Sequence, residues 1–567
     1  MFSFFSFKNR DTVLPYCLVL TLLLLIILSV ILLSLVPPVS RDAMVHHLAI
    51  PKLYLRHGGM YEIPHMSFSY YPMNIDLLYM IPLYFGNDTA PKFIHFSFAL
   101  FTAWLIFHYV KEKTDTVWAL AGAAFFLSIP AVVKLSITAY VDLGLVFFST
   151  ASFFLLFEWM KNEYRIKFLI FSGISCGLAM GVKYSGLIIC FLLTMLVLYV
   201  FSLYHPNNMK NLLKGIGYGL IFLLVSLLVF SPWMIRNWKL KKNPVYPLYD
   251  SVFQGQNIES DDMIIGDPTS QYGIFTYRSV IYDEEWWEMA MLPIRIFFQG
   301  EDGSGKYFDG KLNPFLLLFP LTAFFCRKKG EQNLRKEKNA MFMFSVLFFA
   351  FCFFSRVLRI RYLAPIFPFL AILSVFGAKY LWDMFSASSQ TVFQKAGKLC
   401  VCTAFAVSVG INANYISAQF RHVEPFPYLA GTVNRDEYIA KYLPEYPAMQ
   451  FINTKVPDTA RILFVFIGGR GYYCDRNYLH DEDKGISILE KLLKMSESPE
   501  QILLGLKNLK ITHLLIRYSI FSEWIAEHFP PEKQSLTKSF FNKYVSQMFV
   551  KNGYGVLFVA DCSNSDN

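Results

Sequence analysis

Three arginines, Arg356, Arg359 and Arg361, stand in the stretch FFSRVLRIRYLAP between two long apolar runs. A guanidinium is permanently charged and presents a planar fork that matches phosphate oxygens, so such a cluster at a lipid–water boundary suits an anionic headgroup. The competing use is general: arginines snorkel and anchor helix ends among ordinary phospholipid heads. Asp42, in SRDAMVHHLAIPKLYL, follows the first apolar run by a few residues and so lies close to the membrane surface. A carboxylate there can take a proton from an acceptor hydroxyl or amine while a lipid-linked phosphate departs, a general-base task that needs one acid at the interface. Its other use is to cap the amphipathic helix that follows, and the two roles can coexist. His46, His47, His57 and His65 enrich the same loop, with Tyr70 and Tyr71. Neither HExxH nor another ligand spacing accompanies them, so no cofactor is expected and a divalent metal is the lesser alternative. Lys183, in GLAMGVKYSGL, is a cation in a tight turn where Gly177, Gly181 and Gly186 permit close backbone approach; a lysine reaching for water is the plainer use.

The elements that must position these residues are membrane helices. The chain of 567 residues is 54% hydrophobic and 17% aromatic, above the roughly 45–50% apolar usage of soluble proteins. Its net charge of +10 resides mostly in short loops between apolar segments, which argues against a nucleic-acid partner. Eleven segments approach the ~20 apolar residues that a spanning helix needs: 13–36, 91–110, 116–133, 139–159, 167–182, 186–204, 212–234, 312–326, 339–355, 362–382 and 398–416. The first is too long for a signal-peptide core and lacks a small-residue cleavage site, so it reads as an uncleaved helix. With the N-terminus in the cytoplasm, each inner connection carries lysine or arginine: Lys111 and Lys113; Lys161, Arg165 and Lys167; Lys210 and Lys214; RKKGEQNLRKEK; Lys395 and Lys398. This obeys the positive-inside rule. The outer side then holds loops 37–90 and 235–311 and everything after about 417. Lys134, Lys183 and the arginine group are its exceptions to the charge bias.

In the second outer loop, YDEEWWEMAMLPIRIFF mixes Asp283, Glu284, Glu285 and Glu288 with apolar residues, as an interfacial helix with tryptophans at headgroup depth would. GEDGSG reads as a flexible turn, since no strand precedes it and the GK[ST] ending of a phosphate loop is absent. After 418, RILFVFI, ITHLLIR and GVLFVA have strand length and alternate with amphipathic stretches, predicting a small α/β domain. Ser498-Pro499-Glu500-Gln501 predicts a helix start with a serine cap. FIGGRGYYCDRNYL is not GxGxxG, and its glycines read as structural. Seven of the nine cysteines lie in or beside apolar runs; only Cys474 and Cys562 stand in the polar part, where a disulfide is open to them.

In order along the chain, DAMVHHLAIPKLY, YYPMNIDLLY, APKFIHF, GVKYSGL, FDGKLNPFLLLF and RYLAPIFPFLAIL resemble bacterial polytopic membrane glycosyltransferases related to the dolichyl-phosphate-mannose protein mannosyltransferases and the aminoarabinose transferases. The resemblance implies a mainly α-helical C-type glycosyltransferase fold, residues 1–417, with an extracytoplasmic α/β domain over 418–567. It also implies a multi-pass protein of the bacterial inner membrane, a polyprenyl-phosphate sugar (hexosyl or pentosyl) as donor, and an extracytoplasmic lipid, glycan or protein as acceptor. By the same resemblance Asp42 is the candidate base, and His47, Lys183, Arg361 and Tyr362 lie near the donor phosphate, joining Arg356 and Arg359. The first loop departs from several relatives in lacking paired acids and in placing His46 where an aromatic residue is common. Two other classes remain open on the residues alone. A transporter or flippase would carry ionisable residues near mid-membrane or inverted repeats; no repeat is evident, although Asp142 and Glu158 lie near helix ends. A scaffold presenting the C-terminal domain would tolerate replacement of Asp42 and the arginines.

Overall fold

The computed structural model describes residues 13–202, 205, 208–253, 272–325, 332–354, 357–388, 390–483 and 486–560. Each of the eleven apolar segments contains a helix: α1 (Val13–Ser34), α4 (Ala90–Lys113), the pair α5 (Thr116–Ser128) and α6 (Pro130–Ser136), α7 (Asp142–Lys161), α8 (Ile166–Val182), α9 (Ser185–Ser202), α10 (Met209–Lys241), α11 (Phe315–Thr322), α12 (Gln332–Phe353), α13 (Phe367–Ser386) and α14 (Thr391–Val423). The first outer loop adds α2 (Ala49–His57) and α3 (Asn74–Tyr84). Among the described residues seven helices are long and apolar enough to cross a membrane, or up to eight if the pair α5 and α6, bent by 67°, is one span. The other three of the eleven expected segments, those of α8, α11 and α12, fall short of that test of length and composition. Helix α8 has 17 residues and α11 only 8, about 12 Å of rise for the latter. Helix α12 spends its first two turns on Arg335, Lys336, Glu337 and Lys338.

Local chemistry sets several of these boundaries. The Asp115 carboxylate caps α5 by accepting from the amides of Val117 and Trp118 at 2.9 and 3.1 Å. Pro130 then opens α6 after Ile129 turns extended, which produces the bend. Helix α8 carries Gly173 and Gly177 on the stripe that faces α10. A Cβ on Gly177 would come within 2.6 Å of the Ser226 carbonyl oxygen, so only glycine permits this approach. The Ser226 hydroxyl donates to the Gly173 carbonyl at 3.1 Å and fixes the crossing. The membrane core is aromatic, with Phe153 against Phe369 and Phe344 at centroid separations of 4.5 and 5.5 Å.

Helix α14 continues past residue 417 to Val423 before the C-terminal unit begins. There the sheet comprises β1 (Arg461–Val465), β2 (Asn477–His480), β3 (His513–Arg517), β4 (Val545–Lys551) and β5 (Tyr554–Val559) in the order β2-β1-β3-β5-β4. The first three are parallel, while β5 and β4 run antiparallel as a hairpin. The three apolar runs form β1, β3 and β5 at its centre. The two unforeseen strands are its edges: β4 has no buried residue, and an edge strand needs no apolar run. The helix Pro499–Asn508 starts where expected, but Ser498 makes no side-chain cap bond; Gln501 instead accepts from the Glu497 amide at 2.7 Å. Cys474 is a buried free thiol, and Cys562 lies outside the described residues, as does Cys326. The loop Gly468–Gly471 turns through two positive-φ glycines, and a Cβ on Gly471 would strike the Tyr478 ring at 2.3 Å. Its glycines serve packing.

Candidate active site

After α1, the chain leaves the membrane through Val36 and Pro37, whose carbonyls accept from the Lys92 ammonium at 2.7 and 3.4 Å. It then coils into a five-residue π-helix, Ala43–His47. Asp42 stands immediately before it and makes no capping bond, so its carboxylate is free to turn outward. It meets Arg361, whose Nη1 lies 2.6 Å from Oδ2 across 319 residues of sequence. Arg361 sits in a 3-10 helix, Ile360–Ile366, docked by the Ile360 amide on the Phe308 carbonyl at 2.9 Å. Its guanidinium lies 5.3 Å from the Tyr140 ring and 5.5 Å from Tyr362.

The glycine-framed turn between α8 and α9 delivers Lys183 to the same place. Its ammonium binds Asp142 at 2.9 Å and lies 5.2 Å from the Tyr362 ring. Asp142 opens α7, and His95 from α4 holds that start: Nε2 accepts from the Leu143 amide at 2.9 Å, so Nδ1 donates toward the Leu135 and Thr138 carbonyls, each 2.9 Å away. His47 faces Asp76 of α3, Nδ1 to Oδ1 at 2.7 Å, with both side chains buried. His46 stacks on Phe68 at 4.2 Å and lies 4.0 Å from the His47 ring.

Burial and neighbouring charge set the protonation states. Burial alone would push the Asp42 carboxyl up, but Arg361 beside it, then His46 and His47, hold it below its ordinary value. Asp42 is therefore a carboxylate at neutral pH. Burial lowers His47 to about 4 and raises Asp76 to about 7. That pair accordingly rests as a neutral imidazole beside a carboxyl that is half protonated near neutrality. Burial also drives Tyr140 up to about 12, so the ring above Arg361 stays a neutral phenol. Within this cluster two buried nitrogens have no hydrogen-bond partner among the described residues, Nε of Arg361 and Nδ1 of His46, as do a few buried polar atoms elsewhere in the protein.

Asp42, His47, Lys183, Arg361 and Tyr362 thus come together, with His46, Asp76, Tyr140 and Asp142 among them. Arg359 points elsewhere. Its Nη1 lies 3.7 Å from Asp309, within a neighbouring network in which Lys134 binds Asp302 at 3.1 Å and Asp309 at 3.5 Å. The Tyr415 hydroxyl donates to Asp302 at 2.6 Å. This corrects the reading of GEDGSG as a flexible turn and explains the exceptional Lys134: Lys134 and the Tyr415 hydroxyl hold Asp302 of the turn, while Arg359 lies against Asp309 just beyond it. Arg356 lies outside the described residues. Glu284, in the second loop, is fully enclosed by Arg278 at 2.6 Å and Arg295 at 3.1 Å, while Trp286 and Trp287 are 77% and 51% exposed as interfacial anchors. Among the described residues no group of three or more His, Cys, Asp and Glu could hold a metal ion.

Asp142, Asp76 and Tyr140 were not singled out as site residues from sequence. The usable signal for Asp142 was an acid in the first turn of an apolar helix, on the side that also carries the unexpected cations. Asp76 offered a weaker version in the first turn of the short α3.

Residues 80–236 match the family model for dolichyl-phosphate-mannose-protein mannosyltransferase. No curated protein matches the chain in sequence. Among solved structures, ArnT from Cupriavidus metallidurans in the apo state superposes with a TM-score of 0.57 at 12% identity, over 95% of this chain and 97% of that one. The same protein bound to undecaprenyl phosphate gives 0.56 at 13% identity, over the same shares of the two chains. The Archaeoglobus fulgidus oligosaccharyltransferase in its apo form gives 0.55 at 12%, over 93% of this chain and 73% of that one. The architecture is that of the C-type glycosyltransferase fold, which these solved structures share.

Proposed function

We propose that this protein transfers a sugar, a hexose or pentose, from a polyprenyl-phosphate donor to a lipid, glycan or protein acceptor at the outer face of the bacterial cytoplasmic membrane. The N-terminus is then cytoplasmic and the C-terminal domain extracytoplasmic. The observation that carries the reading is the Asp42 carboxylate held at 2.6 Å by Arg361, beside the Lys183 ammonium, at the end of the bundle opposite the lysine-rich connections. The fold match and the undecaprenyl phosphate bound by the C. metallidurans protein support the donor class.

The chemistry follows from the charges. Arg361 spends Nη1 on Asp42 and keeps a buried Nε without a partner, so one guanidinium can hold the base and receive a phosphate oxygen. Lys183 supplies a second cation, and together they stabilise the negative charge that grows on the phosphate as the sugar leaves. Before the donor arrives, Asp42 is a poor base because Arg361 holds its proton affinity down. The donor's phosphodiester, a monoanion that gains its second negative charge as the sugar leaves, offsets that positive charge on Arg361 and raises the basicity of Asp42. The base is thereby strengthened when there is a donor to attack. As the acceptor oxygen or nitrogen bonds to the anomeric carbon, its proton passes to an Asp42 oxygen and the carbon–phosphate oxygen bond breaks.

The direct test supplies membranes with labelled polyprenyl-phosphate sugars and compares the parent with Asp42→Asn at matched expression. Label transferred by the parent and reduced by about two orders of magnitude or more in the variant is expected. Equal transfer by both removes Asp42 as the base, and no transfer from any donor removes the enzyme reading.

A further inference from the structure

The C-terminal domain contacts the candidate site chiefly through the segment RGYYCD, residues 470–475. The Tyr472 amide donates to the Met44 carbonyl at 3.2 Å, inside the π-helix that follows Asp42. The Tyr472 carbonyl accepts from the Lys52 ammonium of α2 at 2.6 Å, and Lys52 also binds the Asp475 carboxylate at 2.8 Å. Arg56, one turn further along α2, donates to the Asp475 carbonyl at 2.5 Å. The Tyr473 hydroxyl donates to the Pro38 carbonyl at 2.9 Å, and the Tyr472 hydroxyl reaches Asp88 at 3.3 Å. The segment therefore grips the first loop before Asp42, after it and along the helix beyond.

The grip is itself held rigid from behind. Asn453 accepts from the Asp475 amide at 2.6 Å and donates to the Tyr473 carbonyl at 2.9 Å. Arg470 pairs with Glu445, which is fully buried, and Gly471 lies flush on the Tyr478 ring. A π-helix is an intrinsically uncommon conformation that persists where its surroundings impose it. Here one of its carbonyls is claimed by a rigid segment that lies 428 residues later in the chain.

We propose that residues 470–475 are a positioning element for the Asp42 segment: the C-terminal domain fixes the π-turn that aims Asp42 at Arg361 and His47 at Asp76, and so completes the active site. The assignment rests on the reading of Asp42 as the base. None of these residues meets substrate; they act through the backbone of 42–48. A misplacement of Asp42 by a fraction of an ångström to 1 Å lowers turnover steeply while leaving donor binding, carried by Arg361 and Lys183, intact.

The test uses the full-length protein in nanodiscs and two readouts on Lys52→Met, Asp475→Ala and the exchanged pair Lys52→Asp with Asp475→Lys. Amide hydrogen exchange of a peptide covering 42–48 reports the turn directly and does not depend on any assay of chemistry. Kinetics report kcat and the donor KM. Expected in both single variants are faster exchange over 43–48 and a kcat lowered by about tenfold or more with donor KM changed less than about twofold; the exchanged pair restores both. Unchanged exchange in the single variants overturns the proposal, even if turnover falls. So does a fall that appears wholly in donor KM. Should the parent transfer no sugar, the function proposed above fails, and exchange alone decides whether the segment holds the turn.

Discussion

The two ends of the helix bundle both gather cations and carboxylates, yet they use them differently. At the lysine-rich end, Glu337 accepts from the Tyr109 hydroxyl at 2.7 Å and binds Lys113 at 3.2 Å, while Lys161 bridges Glu112 and Glu158 at 3.0 Å each. No charged group of that network has a buried atom left without a partner among the described residues. At the other end, Arg361 and His46 do, although Asp42, Asp142 and Asp76 are all within reach of cations or imidazoles. A saturated network ties helices together; an unsaturated one keeps donors that a ligand can take. Unpartnered atoms alone do not mark a site, since Arg359 Nε and Asp302 Oδ1 of the neighbouring network lack partners too; what sets the Arg361 end apart is that its free donor stands beside the Asp42 carboxylate.

The largest expected effect is at the unsaturated end. Arg361→Gln should lower sugar transfer by about a hundredfold or more with the protein still folded, and Arg361→Lys should recover only part, because an ammonium cannot hold Asp42 and a phosphate through one planar fork. The same Gln variant frees the Asp42 carboxyl to rise under burial, so the acid limb of the pH–rate profile should move upward; a fixed limb would separate Asp42 from Arg361 electrostatically. Next comes Lys183→Met, which leaves Asp142 buried without its counter-ion and should cost about 3 kcal/mol of stability. Adding Asp142→Asn should return the stability but not the donor affinity, as thermal unfolding and donor titration would show. At the saturated end, Glu337→Gln should cost about 1–3 kcal/mol and leave donor KM unchanged. A changed KM there would erase the contrast between the ends.

The smallest effect concerns the His47 and Asp76 pair. From about pH 4 to 6.5, burial makes folded His47 bind fewer protons than the unfolded chain does, which raises stability as pH rises; folded Asp76, titrating near 7, binds more and lowers it. In the parent the two slopes oppose each other over that window. His47→Asn removes one of the rising contributions while other buried histidines such as His46 and His480 keep theirs, so the unfolding temperature should gain less between about pH 4 and 6.5 than it does in the parent.

Asp42, Lys183 and Arg361 were legible because each violates a local rule: an acid or a cation sits at a membrane boundary where the surrounding sequence predicts neither. Their partners violated nothing so visible. Asp142 is 41 residues from Lys183 and Asp76 is 29 from His47, and no spacing rule links positions that only the fold brings together. Arg359 shows the converse limit. It stands two residues from Arg361 in extended backbone that leads into a 3-10 helix, and there closeness in sequence does not give a shared direction. The helix lengths were less legible: hydropathy finds apolar stretches, whereas α8 and α11 are short and α12 opens on charged turns.

The π-turn before α2 adds a constraint of phase. It closes its hydrogen bonds over one more residue than the α-helix does, so relaxation of 43–47 into regular α-helix at unchanged length would turn Asp42 by about 100° relative to α2. The carboxylate would then swing off Arg361 with every side chain of the site still present. The aim of Asp42 therefore depends on a backbone conformation as well as on the residues around it.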